Sequence, residues 1–67
     1  MENIKISMAA ARVNAEMTQN ELASKMGVSK VTIIKWEKGV VKPKPAQFYM
    51  FCMLCGLPVD NVILPNG

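Results

Sequence analysis

The residues best placed to do chemistry in this chain are lysines. Six of them, Lys25, Lys30, Lys35, Lys38, Lys42 and Lys44, fall close together with a single acid, Glu37, among them. The rest of the chain sets Lys5 and Arg12 against Glu2, Glu16, Glu21 and Asp60. The net charge of +3 therefore divides into a basic middle and an acidic remainder. Such a division is the electrostatic footprint of a nucleic-acid surface. The ordinary alternative is a solvated lysine face.

Other chemistries lack their residues. There is no histidine, no carboxylate pair at a useful spacing and no glycine loop for phosphate. These absences argue against an enzyme. Neither a cofactor nor an inducer pocket has support in the sequence. Cys52 and Cys55 form a CMLC segment, a spacing that can mark a metal or redox site. Two thiols cannot supply four zinc ligands from one chain. A dimer pooling four thiolates is the sharper reading. Two small buried hydrophobes is the simpler one.

The elements that must position the lysines lie between Thr18 and Gly39. Thr18 and Glu21 stand at capping-box spacing, which starts a helix. Leu22, Ala23 and Met26 place apolar groups on one face of it. Gly27 can take the left-handed conformation that ends a helix, and Ser29 can cap a second one. Ile33 and Trp36 point inward from that second helix, so Lys30, Val31, Ile34 and Lys35 fall toward its outer faces. Helix, glycine turn and lysine-rich helix together form the pattern of a helix-turn-helix DNA reader.

From Arg12 to Gly39 the chain resembles the Cro and CI repressor family, also called the XRE-type regulators. The matching residues are Arg12, Gln19, Glu21-Leu22-Ala23, Gly27-Val28-Ser29, Thr32-Ile33 and Glu37-Lys38-Gly39. The resemblance implies that Lys30, Val31 and Lys35 face bases, with Ser29 and Thr32 at the margin. Lysine can donate to guanine O6 and N7, and valine can meet a thymine methyl. The family often uses glutamines at these positions, and this chain has none there. The resemblance places Thr18, Gln19, Lys38, Lys42 and Lys44 at phosphates, where contacts give affinity rather than specificity. The loop from Val40 to Pro45 carries one residue more than the family pattern. Arg12 and Glu37 match the family's paired charges, and a guanidinium with a carboxylate suits a bidentate structural bond. Trp36 reads as a core anchor, with base stacking as the alternative.

The other elements follow from periodicity. Ile4, Met8, Ala11 and Ala15 share one face of a first helix expected from about Asn3 to Ala15. Met8, Met17 and Met26 suit the inner faces. Pro45 suits the first position of a fourth helix, which runs to Cys55 and is apolar nearly all round, as a helix buried on every face would be. Gly56 ends it. A fifth short helix or turn is expected over Pro58 to Leu64, before a frayed Pro65-Asn66-Gly67. The expected fold is all-α: five short helices in a single lambda-repressor-like DNA-binding domain, with the helix-turn-helix at helices two and three. Val40-Val41 and Val62-Ile63-Leu64 are its only β-leaning runs.

A chain of 67 residues buries only about 60% of its unfolded surface. It is nevertheless 51% hydrophobic, which favours a subunit interface. Met50, Met53, Leu57, Pro58, Val59, Val62, Ile63 and Leu64 are the expected dimer surface. No export signal is apparent, and no apolar run approaches the roughly 20 residues that span a bilayer. A cytoplasmic location with no membrane partner is expected, and with it reduced cysteines. The implied function is that of a homodimeric transcriptional regulator on a palindromic double-stranded operator. With no room for a self-cleaving domain, it is more like Cro or a small host or prophage regulator. The second reading is a protein-interaction module, an antitoxin or a modulator of a second regulator protein.

Overall fold

The computed structural model describes residues 5–64. In chain order its elements are strand β1 (Ile6–Ser7), helices α1 (Met8–Asn14), α2 (Gln19–Met26), α3 (Lys30–Lys38) and α4 (Pro45–Cys55), a 3-10 turn (Val59–Asn61) and strand β2 (Val62–Ile63). Asn3 and Ile4, expected in the first helix, and the tail Pro65-Asn66-Gly67 lie outside the described residues.

Two expectations are corrected here. The first helix starts at Met8, because Ser7 caps it: Ser7 is extended, and its Oγ accepts from the Ala10 N–H at 3.0 Å. The expected fifth helix is a 3-10 turn followed by a strand, so the described residues hold four α-helices rather than five. Pro58 is itself extended, and the β-branched Val62 and Ile63 favour a pleated surface. They pair in parallel with β1, Ile6 opposite Val62 and Ser7 opposite Ile63. The fold is therefore mainly helical with one small strand pair, not purely α.

The core draws on every helix. Met8 and Ala11 come from α1, Leu22 and Ala23 from α2, and Ile33 and Trp36 from α3. Phe48, Phe51, Cys52 and Cys55 come from α4, and Val62 from β2. Met17 and Met26 pack partly against this cluster. Trp36 is only 2% exposed, which makes it an anchor and leaves no ring face for a base.

Helix α4 is not buried on all faces. Tyr49, Met50 and Met53 are exposed, Met53 at 79%, because so small a domain has nothing left to cover them. Of the expected dimer residues, Val62 is corrected: it is 6% exposed, turned into its own core by strand alternation. Leu57 and Val59 are partly packed against the core, while Pro58, Ile63 and Leu64 are exposed. Among the described residues no helix is long and apolar enough to cross a membrane.

Glu16 ends α1 in the left-handed region, with φ of 60°. The Met17 N–H returns to the Arg12 carbonyl at 3.2 Å and the Glu16 N–H to Val13 at 2.9 Å, the closure usually built on glycine. A left-handed L-residue costs about 1–2 kcal/mol, and glycine gives back roughly half of any gain as chain entropy. Glu16→Gly should raise Tm by about 3–6 °C. Thermal unfolding followed by circular dichroism checks this, with Glu16→Gln, which removes only the charge, showing a smaller change.

Candidate nucleic-acid interface

The outer face of α3 is fixed by what holds its inner face and its two ends. Helix α2 begins with a complete capping box: the Glu21 N–H donates to Thr18 Oγ1 at 3.0 Å, and the Thr18 N–H to Glu21 Oε1 at 2.8 Å. Gly27 closes it at φ 69°, and the Val28 N–H reaches the Ala23 carbonyl at 3.0 Å. Ser29 then starts α3. Its Oγ accepts from the Thr32 N–H at 3.1 Å and pairs with Thr32 Oγ1 at 3.0 Å. With Ile33 and Trp36 locked in the core, Lys30, Val31, Lys35 and Lys38 are left exposed, Val31 at 57%. Ile34, expected on the outer face, is half-buried.

The loop after α3 continues the same chemistry. Val40, Val41, Lys42 and Lys44 are exposed, while Pro43 is buried and pins the loop to the domain. The Lys44 N–H donates to Gln47 Oε1 at 2.8 Å. The reciprocal half of that cap is missing, because an ammonium has no acceptor. Among the described residues no lysine from Lys25 to Lys44 is in an ion pair, so their charge is available to an outside anion. The Thr18 and Ser29 hydroxyls, expected near the nucleic acid, are first of all capping groups.

Behind this face lies a polar lock. Arg12 Nε donates to Glu37 Oε2 at 2.6 Å, and Nη2 to Glu37 Oε1 at 3.4 Å. Arg12 Nη1 donates to the Met17 carbonyl at 2.8 Å. Gln19 Nε2 donates to Glu37 Oε1 at 3.0 Å. The two charged side chains are 14% and 9% exposed. The family resemblance implies that Gln19 supports a residue of α3, and the residue it meets is Glu37; spacing alone could not name it.

The two cysteines are free and buried. Among the described residues no group of histidine, cysteine and acidic side chains could hold a metal ion. Burial pushes the Cys52 thiol up. Burial also raises Cys55, with Cys52 adding to the effect and Arg12 opposing it.

A lysine-bearing helix held on its inner face, behind a capped helix and a glycine turn, is the architecture of a helix-turn-helix protein. The helix-turn-helix family model matches residues 8–61. The chain belongs to this XRE-type helix-turn-helix family of DNA-binding regulators. No curated protein and no solved structure matches it significantly.

Two outcomes follow from this geometry. Glu37→Ala strands a mostly buried guanidinium and should cost about 2–4 kcal/mol, somewhat below the 3–5 of a fully buried pair. Urea titration measures it, and Arg12→Met with Glu37→Leu should recover most of the loss. The thiols, neutral and covered, should react with iodoacetamide at least ~100-fold more slowly in the native protein than in concentrated urea. Since folding raises their pKa, the stability they contribute is intact at neutral pH and is lost as pH climbs through the raised values.

Proposed function

We propose that the protein is a sequence-specific double-stranded DNA-binding transcriptional regulator, a Cro-like phage or prophage repressor that acts as a homodimer by covering a promoter. The observation that carries this reading is the outer face of α3. Lys30, Val31 and Lys35 stand exposed on a helix whose other side is anchored by Trp36 and Ile33. A helix presented in this way can enter the major groove.

In this reading Lys30 and Lys35 donate to guanine edges and Val31 meets a thymine methyl, with Ser29 and Thr32 beside them. Thr18, Gln19, Lys38, Lys42 and Lys44 meet phosphates on either side. One copy makes few base contacts, so two copies share a palindromic operator. The domain measures 32 × 24 × 19 Å, and half-sites one turn apart are separated by roughly 34–36 Å. Two copies at that spacing lie side by side. The exposed Tyr49, Met50, Met53, Pro58, Ile63 and Leu64 carry no charge, so the face can meet its own copy without repulsion. Leu57 and Val59 form its half-buried floor.

Selection of bound sequences from a random duplex pool, at two salt concentrations, tests the whole reading. A palindrome with half-sites one turn apart is the expected result. Enrichment of nothing would sink the sequence-specific role and favour a protein partner on α4. Within the selected site, Lys35→Ala should change base preference by about 1–3 kcal/mol at one position, whereas Lys42→Ala should weaken all sequences alike and lower the salt slope by about one. Sedimentation showing a monomer at high micromolar concentration would refute the dimer.

A further inference from the structure

We infer that Glu37 positions the side-chain amide of Gln19 for a DNA phosphate, so that the ion pair joining α1 to α3 also sets DNA affinity. This rests on the proposed phosphate contact of Gln19. Glu37 has two carboxylate oxygens and both are engaged. Oε2 accepts from Arg12 Nε at 2.6 Å, and Oε1 accepts from Gln19 Nε2 at 3.0 Å and from Arg12 Nη2 at 3.4 Å.

A carboxylate only accepts, so it dictates which end of the glutamine amide it meets. The nitrogen is turned to Glu37, and its second N–H remains to be given to another acceptor. A glutamine not held in this way could equally offer its carbonyl oxygen to a phosphate, which repels. It would also lose rotamer freedom on binding, a loss already incurred here during folding. Gln19 is the first residue of α2. The held amide therefore belongs to the turn whose backbone N–H groups have no acceptor within the helix.

Arg12 has its own part. Its guanidinium neutralises Glu37, so the carboxylate that orients the amide does not also push the phosphate away. The amide is held by the far end of α3, not by Lys30 or Val31 near its start.

The test measures fluorescence anisotropy of a labelled random-sequence DNA duplex across a salt series. The proteins are the full chain, Gln19→Ala, the paired change Arg12→Met with Glu37→Leu, and all three changes together, each checked for folding by circular dichroism. The paired change leaves the net charge untouched. Gln19→Ala and the paired change should each weaken binding about tenfold. The salt slope should not move, because a neutral amide displaces no counterion. The triple variant should bind no more weakly than the paired one.

A folded paired variant that binds like the unaltered chain, while Gln19→Ala does not, overturns the positioning role and leaves the phosphate contact standing. Unchanged binding by Gln19→Ala overturns both. Should the paired variant not fold, nuclear magnetic resonance of the unaltered chain on the duplex decides. A through-hydrogen-bond coupling from Gln19 Nε2 to the Glu37 carboxylate supports the inference, and its loss on binding overturns it.

Discussion

The bond between Arg12 and Glu37 is the constraint on which the arrangement depends. Burial of apolar surface drives the helices together but has no direction. Ala11 and Ala23, both buried, let α1 and α2 each pack against α3 and α4 without fixing how either is rotated. A guanidinium against a carboxylate does have direction. Through it α1 is tied to the end of α3, and through Gln19 and the Met17 carbonyl so are the start of α2 and the connection before it. Four separate places in the chain converge on one side-chain cluster. The angle at which α3 is presented follows from that convergence.

With the angle set, the molecule divides its surface. Lysines collect on α3 and the loop behind it, where Pro43 acts as the peg holding the loop in place. Uncovered apolar side chains without neighbouring lysines gather on α4 and β2, while Val31, Val40 and Val41 lie exposed among the lysines. Two of the acids are used inside the framework: Glu21 completes a cap and Glu37 completes the lock. Little negative charge is left to oppose an anionic partner at the basic face.

What could be read from the sequence was what is decided locally. Thr18 with Glu21, Gly27 with Ser29, and Ile33 with Trp36 each act within one turn or one helix, and their types declare their roles. The lysines of α3 were legible for the same reason, since a known core face defines the opposite one. The strand pair was not. Ile6-Ser7 and Val62-Ile63 are too short to show a period, and each becomes a strand only when it meets the other from the far end of the chain. The left-handed Glu16 was hidden because the residue type argues against it. The outward face of α4 was legible in part: Met50 and Met53 were expected at a surface and are exposed, while the exposed Tyr49 was not singled out, because the apolar residues of this helix show no preferred side. Which residue of α3 meets Gln19 needed the packed structure, since sequence spacing does not encode a bond between two helices.

The pairing of β1 with β2 bears on the order in which the protein is made. All four described helices are synthesised before β2. The partner of β1 is the last described element to be synthesised, so the domain is sealed only at the end. A seal of two residues on each side is weak by itself and opens more readily than the core behind it. Degradation tracks the population of such open forms when they close quickly. The strand pair is therefore where the lifetime of the regulator in the cell can be tuned without changing a side chain of α3.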